Sequence, residues 1–147
     1  SDSFIEKVDV KVAFFDGQSI TTTIKTQSLE SLFKEADFIT LHVPAQDGYL
    51  IGRDELKTMK NDVGIINAAR GGVIDEVALV KALESGKISN AALDVFENEP
   101  IHQNSPLLTI DNPEKLLLTP HVAWSSVEAR EKLMEGIINN IKLFINS

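Results

Sequence analysis

Four short apolar runs, separated by segments with helical spacing, constrain the fold of this chain more than any other feature. The runs cover residues 38–43, 64–67, 91–96 and 116–119, and a proline or a charged residue follows closely after each of them. Continuous apolar runs are typical of strands that are buried on both faces, and their alternation with helices is typical of parallel sheets. We therefore predict an α/β domain with a mostly parallel sheet that helices cover on both faces.

Helix caps predict where the three shorter helices begin and end. Ser28 caps the first, the second covers residues 54–60, and Asp75 caps the third, which Gly86 ends in the C′ position. Apolar spacing predicts the side chains of these helices that face the core: Leu29, Leu32, Phe33, Ala36, Leu56, Met59, Val77, Leu79, Val80 and Leu83.

The two ends of the chain carry different patterns. Two alternating runs around Asp16-Gly17, within residues 8–24, predict an N-terminal β-hairpin. Residues 97–115 contain three of the five prolines and predict a long loop. Ser125 and Glu128 form a capping-box pattern for a long C-terminal helix. Its apolar positions are Leu133, Met134, Ile137, Ile138, Ile141 and Phe144.

Composition excludes several classes of function. The chain has 147 residues, which is the length of one ordinary domain, and a net charge of −8, which disfavours nucleic acids and anionic membranes as partners. It contains no cysteine, so it has no disulfide scaffold, and its three histidines are too far apart to predict a metal site. We expect a protein of a reducing compartment, the cytoplasm, that binds no metal.

Four polar side chains follow the predicted strands at the points where those strands end. Arg70 lies after the second apolar run, Asp94 and Glu99 lie at and after the third, and His121 follows the fourth. Because the carboxyl ends of parallel strands share one edge of a sheet, we expect these residues to meet in the ligand crevice outside that edge. Each of them alone could equally be a structural residue of a turn or loop.

Three stretches in this order resemble the nucleotide domain of the NAD-dependent D-2-hydroxyacid dehydrogenases. They read NAARGG at residues 67–72, LDVFENEP at residues 93–100 and LTPHVAW at residues 118–124. The segment FITLHVP at residues 38–44 resembles the phosphoglycerate dehydrogenase branch most. The resemblance covers residues 29–144 and implies a Rossmann-type, doubly wound sheet.

The resemblance implies three catalytic residues. Arg70 would clamp the substrate carboxylate through a bidentate pair, which a lysine could not form. His121 would exchange a proton with the substrate oxygen, and Glu99 would orient the imidazole and favour its charged form.

The resemblance also implies NAD as cofactor and a small 2-hydroxy acid as substrate. Asp94 would lie near the nicotinamide carboxamide and ribose, and Asp2 would bind the adenosine ribose. The full set of implied cofactor contacts is Asp2, Val43, Pro44, Ala68, Ala69, Arg70, Asp94, His121 and Ala123.

Two parts of such an enzyme are missing from this pattern. A G-x-G-x-x-G turn after a first strand, which would hold the pyrophosphate, does not occur in the sequence. The substrate domain of the family has no counterpart either. We therefore expect residues 1–147 to be an incomplete NAD-binding domain. We expect the strand edge left open by the missing first strand to pair with another copy of the chain, as in a homo-oligomer, or with a missing segment.

Alternatives remain for the activity. The resemblance favours D-3-phosphoglycerate as substrate and hence a role in serine biosynthesis, but Trp124 is more typical of glycerate or hydroxypyruvate reductases. A non-catalytic half-domain that folds or dimerises without turnover is a further alternative, and a corepressor-like relative has little support.

Overall fold

A computed structural model describes residues 28–45 and 47–146. The predicted hairpin at residues 8–24 and Asp2 lie outside the described residues.

The described residues form a four-stranded parallel sheet with helices in the connections. The strands are β1 (Phe38–Leu41), β2 (Val63–Asn67), β3 (Ile88–Leu93) and β4 (Leu116–Leu118). The helices are α1 (Leu29–Glu35), α2 (Arg53–Thr58), α3 (Glu76–Glu84) and α4 (Val127–Ile145), and two 3-10 turns cover Pro106–Leu108 and Pro113–Lys115. The strands lie in the order β1-β2-β3-β4, and every neighbouring pair is parallel. The predicted α/β class with a parallel sheet and a long C-terminal helix is confirmed.

Two of the predicted caps are present. The Ser28 side chain accepts a hydrogen bond from the Ser31 N–H, and the Asp75 side chain accepts one from the Ala78 N–H. Gly86 follows α3 with a φ of +75°, the left-handed conformation that favours glycine at this position. The connections around the sheet are therefore fixed by the residues that the sequence indicated.

The hydrophobic core lies between one face of the sheet and helices α1, α2 and α3. It includes Ile39, Ile65 and Ala91 from the strands and Leu79 and Leu83 from α3. On the opposite face of the sheet the side chains of Phe38 and Leu117 are 72% and 63% exposed. Within the described residues, helices thus cover one face of the sheet. The sequence pattern predicts helices on both faces, and this part of the prediction is not met there.

Strand β3 differs from its predicted bounds of 91–96. It begins at Ile88, because the polar residues that follow fit the ladder: the Ser89 hydroxyl donates to the Val63 carbonyl at 3.2 Å. It ends at Leu93, although the Asp94 N–H still donates to the Asn67 carbonyl, and the Asp94 carboxylate binds the chain that follows β4.

Two details of the helices were also predicted wrongly. Val77 was expected in the core but is 49% exposed, because it lies about 200° around the helix from the fully buried Leu79. Ser126, not Ser125, caps α4, since its hydroxyl accepts from the Ala129 N–H while the Ser125 hydroxyl donates to the Val122 carbonyl.

Helix α4 has no buried residue, so the six apolar positions predicted on it face solvent in the described part of the chain. None of the described helices is both long and apolar enough to cross a membrane.

Candidate functional site

The carboxyl ends of the four strands lie side by side at one edge of the sheet. Leu41 at the end of β1 is paired with Asn67, Asn67 with Leu93, and Leu93 with Leu118. The Asp94 N–H then donates to the Asn67 carbonyl at 2.9 Å and continues the ladder past the last paired residues. The residues that follow these strand ends therefore share the crevice in which α/β folds bind ligands.

Arg70 lies in a turn that Asn67 holds in place. The buried Asn67 side chain donates through Nδ2 to the Arg70 carbonyl at 3.0 Å and accepts through Oδ1 from the Ala69 N–H at 3.1 Å. The Arg70 guanidinium is exposed and donates to the Ala69 carbonyl at 2.7 Å. Asn67 thus fixes the backbone of the turn while leaving the arginine side chain accessible to a ligand.

The turn lies directly against the segment that follows β3. A Cβ built on Gly71 would lie 1.7 Å from the Phe96 carbonyl oxygen, so only glycine allows this approach. The neighbouring Gly72 has a φ of +74°, and a Cβ built on it would have no other heavy atom within 4 Å. The two glycines therefore serve different purposes, close packing at Gly71 and a left-handed backbone at Gly72.

His121 and Glu99 are joined by a short hydrogen bond. The distance from His121 Nδ1 to Glu99 Oε2 is 2.8 Å, and the two side chains are 43% and 37% exposed. The other carboxylate oxygen, Oε1, accepts from the Phe96 N–H at 3.1 Å. An ionised carboxylate can only accept, so Nδ1 carries the proton in this pair and Nε2 is left for a second partner.

These contacts set the protonation of Glu99. The hydrogen bond with His121, followed by the hydrogen bond from the Phe96 N–H, lowers the pKa of Glu99 below its ordinary value. Glu99 therefore keeps its charge at neutral pH, as a group that orients an imidazolium must.

Asp94 holds the turn that carries His121. Oδ1 accepts from the Thr119 hydroxyl at 2.5 Å and from the Val122 N–H at 2.9 Å, and Oδ2 accepts from the Ala123 N–H at 2.8 Å. Burial raises the pKa of Asp94, but the hydrogen bonds from Thr119, Ala123 and Val122 together outweigh it and leave the pKa below its ordinary value.

The backbone at His121 has a φ of +53°, which is uncommon for a residue with a side chain. The His121 N–H donates to the Thr119 carbonyl at 3.0 Å, and the Trp124 indole Nε1 donates to the His121 carbonyl at 2.8 Å. Both backbone groups of His121 are thus hydrogen-bonded, which fixes the position from which the imidazole extends.

Small and apolar residues follow β1 and β2 at the same edge. Pro44 and Ala68 are exposed, and Val43 and Ala69 are half-buried. These residues lie at the part of the edge next to the turn that carries Arg70, and they form a surface of small, weakly polar side chains.

The structure joins some of the predicted residues and leaves others separate. Glu99 and His121 are in contact, and Asp94 binds the backbone of Ala123, but no hydrogen bond or ion pair links Arg70 to Glu99 or His121. Among the described residues, no group of His, Asp and Glu side chains could hold a metal ion. A groove of about 410 Å³ lies between α2 and α3, and none of the predicted site residues lines it.

Four residues of this region were not predicted from the sequence. Asn67 holds the arginine turn, Thr119 donates to Asp94, and Glu76 and Glu97 bind each other's backbone. An asparagine three residues before an arginine-glycine turn is a recognisable Asx-turn signal. The other three contacts join segments that are far apart in the sequence, and no local pattern indicates them.

Comparison with known proteins identifies relatives that match most of the chain. The profile of the D-isomer specific 2-hydroxyacid dehydrogenase NAD binding domain matches residues 3–123. A glyoxylate reductase of Thermofilum pendens is 37% identical over an alignment of 145 positions that covers 93% of this chain and 42% of the relative. A D-3-phosphoglycerate dehydrogenase of Methanocaldococcus jannaschii is 48% identical over 116 residues, which are 78% of this chain and 21% of the relative.

A solved structure is similar over nearly the same region. The D-lactate dehydrogenase from Aquifex aeolicus, complexed with NAD and lactic acid, superposes with a TM-score of 0.82 at 30% sequence identity, and the match covers 92% of this chain and 46% of that one. The chain spans less than half the length of each of these relatives.

Proposed function

The chain belongs to the D-isomer-specific 2-hydroxyacid dehydrogenases through their NAD-binding domain, and from this premise we propose that it takes part in hydride transfer between NAD and a D-2-hydroxy acid. The observation that carries the proposal is the Glu99–His121 pair, 2.8 Å apart, at the same sheet edge as the Arg70 turn. A proton donor after β4 and a cation after β2, on either side of the end of β3, suit a substrate that has both a hydroxyl and a carboxylate.

His121 is the acid/base of this proposal. With Nδ1 engaged by Glu99, Nε2 gives a proton to the keto oxygen on reduction and takes it from the hydroxyl on oxidation. Glu99 accepts the hydrogen bond from Nδ1 throughout and holds the imidazole in orientation.

Arg70 binds the substrate carboxylate. Its guanidinium is exposed and, within the described part of the chain, donates to the carbonyl of the preceding residue, so rotation of the side chain frees both terminal nitrogens for a bidentate pair. Binding at this point orients the 2-carbon toward His121.

NAD supplies the hydride acceptor and donor when it is bound. Val43, Pro44, Ala68 and Ala69 would hold the nicotinamide end through small side chains and backbone. Asp94, Ala123, Arg70 and His121 complete the proposed cofactor contacts, together with Asp2, which lies outside the described residues. For the substrate we propose D-3-phosphoglycerate, hence a role in serine biosynthesis, on the 48% identity with a D-3-phosphoglycerate dehydrogenase; glycerate, hydroxypyruvate and glyoxylate are the competitors.

NMR on the isotopically labelled chain tests this function without requiring turnover. Millimolar NADH is expected to shift the amide signals of Ala68, Ala69 and Ala123, and added oxamate, a carboxylate analogue of the keto acid, to shift the Arg70 side-chain signals. Arg70→Lys, followed through the Ala69 and Gly71 amide signals because the arginine signals are gone, should lose the oxamate response and keep the NADH response. Unchanged spectra with both ligands would contradict the proposal.

Turnover is measured in parallel from NADH absorbance with 3-phosphohydroxypyruvate, hydroxypyruvate and glyoxylate. Wherever a rate is seen, His121→Gln should lower kcat by about 10²–10⁴-fold. The control is Glu84→Gln, because Glu84 is exposed and makes no hydrogen bond or ion pair with any described residue.

The open face of the sheet favours a second candidate, a half-domain that dimerises without turnover. One chain presents both the exposed Phe38 and Leu117 on the sheet and an exposed apolar stripe on α4. A twofold axis would lay the helix of each copy on the sheet of the other, so a second copy is the occupant we propose. Light scattering that shows a monomer with unchanged NMR signals on dilution would refute it.

We also place the protein in the cytoplasm, a reducing compartment that its lack of cysteines fits.

A further inference from the structure

Two glutamates, Glu76 and Glu97, bind each other's backbone between the two segments that carry the candidate site. The Glu97 N–H donates to Glu76 Oε1 at 2.7 Å, and the Glu76 N–H donates to Glu97 Oε1 at 3.2 Å. Glu76 is the first residue of α3 and lies six residues after Arg70, whereas Glu97 lies two residues before Glu99. The reciprocal bonds therefore connect the end of one functional segment to the start of the other.

This arrangement brings two acidic side chains together at a partly buried position. Glu76 is only 8% exposed, and burial raises its pKa, with the negative charge of Glu97 adding to the effect and the hydrogen bond from the Glu97 N–H opposing it. Burial of a carboxylate costs free energy unless the carboxylate is hydrogen-bonded, and the hydrogen bond from the Glu97 N–H offsets this cost for Glu76.

A second contact joins the same two segments. Gly71 is packed against the Phe96 carbonyl so closely that no side chain fits between them. The segment that carries Arg70 and the segment that carries Glu99 are thus fixed to each other at two points, and neither contact uses a side chain of the proposed chemistry.

A third segment meets the pair. The Glu97 carboxylate, through a hydrogen bond and its charge, raises the pKa of the Tyr49 hydroxyl. The chain after Tyr49 is bound to the exit of the arginine turn, because the Ile51 N–H donates to the Val73 carbonyl at 3.1 Å and the Asp75 N–H to the Ile51 carbonyl at 2.9 Å.

We propose that Glu76 and Glu97 are positioning residues that set the placement of the Arg70 turn relative to the Glu99–His121 pair. The proposal rests on the proposed function, since it concerns the same site. The pair does not touch substrate or cofactor. It acts through Glu99, whose backbone it holds at the distance from which the carboxylate reaches His121.

The test is the pKa of the Glu99 carboxyl, followed by ¹³C NMR in the full chain. Glu97→Ala removes the acceptor for the Glu76 N–H and keeps the bond from the Glu97 N–H to Glu76 Oε1. We therefore expect the Glu99 pKa to rise part of the way toward its ordinary value as the loop loses one of its two bonds. Loss of a nearby negative charge would by itself lower the Glu99 pKa, so the direction of the shift separates lost positioning from changed electrostatics. Glu97→Gln keeps an acceptor oxygen and should leave the Glu99 pKa low, as should the surface control Glu84→Gln.

His121→Gln provides the reference, because loss of the imidazole removes the largest cause of the low Glu99 pKa and should raise that pKa, while the bond from the Phe96 N–H remains. If Glu97→Ala leaves the Glu99 pKa unchanged or lower while His121→Gln raises it, the positioning role is refuted and the proposed function stands. If His121→Gln has no effect, the orienting pair of the proposed function is refuted, and the positioning role falls with it. Glu97 is exposed, so Glu97→Ala is expected to fold; Glu97→Ser, whose hydroxyl is too short to reach the Glu76 N–H, decides the question if it does not.

Discussion

Replacement of Gly71 by alanine is the sharpest test of the contact between the arginine turn and the segment after β3. The new Cβ would lie 1.7 Å from the Phe96 carbonyl oxygen and 2.4 Å from its carbonyl carbon, whereas Cβ atoms essentially never come within 3.0 Å of another heavy atom. The two segments must therefore separate by at least about 1.3 Å. Because the obstacle is backbone and not a flexible side chain, relaxation by rotamer change is excluded.

We expect Gly71→Ala to lower the free energy of unfolding by about 3 kcal/mol, the upper end of the usual range for overpacking. Gly72→Ala is the matched control. It has no neighbour within 4 Å but a φ of +74°, so its cost is the penalty of about 1–2 kcal/mol for a side chain in the left-handed conformation. Urea unfolding followed by circular dichroism measures both values.

The two variants should also differ in what they do to the site. A displacement of about 1 Å near a reacting group can reduce a rate by about 10²-fold. Gly71→Ala should shift the amide signals of Phe96 and Glu99, and Gly72→Ala should leave them in place. Two results would refute the close approach of Gly71 to Phe96: an equal loss of unfolding free energy in the two variants, or unchanged Phe96 and Glu99 signals in Gly71→Ala. Either result would also refute the view that this contact fixes the arginine turn against the segment after β3.

Three further outcomes follow from the hydrogen bonds of the site. Asp94→Ala should destabilise the chain by about 2–4 kcal/mol in urea unfolding, since two backbone N–H groups lose a charged acceptor, and Asp94→Asn should cost less; equal costs would contradict this. Asn67→Asp removes the donor to the Arg70 carbonyl and should cost about 1–3 kcal/mol, and a value near zero would show that the turn is held otherwise. The folded-state pKa of Glu99 is lowered, so its stabilising contribution is present above the unfolded-state pKa of about 4.3 and is lost as the pH falls through the folded-state pKa. The stability difference between wild type and Glu99→Gln, measured from pH 7 to pH 3, should therefore vanish only at the acidic end.

The sheet and its functional edge could be predicted from the sequence because they depend on local patterns. Apolar runs that end in polar residues or prolines mark the strands, and parallel topology then places their ends together whatever fills the connections. The prediction failed where tertiary contacts override the local pattern. Strand β3 tolerates polar Ser89 because the Val63 carbonyl lies within reach, and it ends at Leu93, after which Asp94 bonds to a turn that the local sequence cannot reveal.

The chemically active residues of the candidate site could be predicted from the sequence, but the contacts that hold them in position could not. Glu99 and His121 were assigned from the resemblance to a family, and the structure places their side chains in contact. Nothing in the local sequence indicates that Glu76 binds Glu97, since two acidic residues 21 positions apart give no signal of mutual attraction. They meet because each presents a backbone N–H to the carboxylate of the other, a geometry that exists only after the chain has folded.

The core and the site are built from different residues, and this division decides how variants can be interpreted. Arg70, Glu99 and His121 are exposed and lie beyond the strand ends, outside the hydrophobic core. Their replacement removes few packing contacts, so its effect on binding or rate can be assigned to chemistry. Asp94 is 6% exposed and is hydrogen-bonded to the His121 turn, so a loss of function at Asp94 combines a displaced His121 with lowered stability. The two effects can be separated if activity is measured well below the unfolding temperature of each variant. The variant is then folded, so a loss of activity reports the displacement of His121.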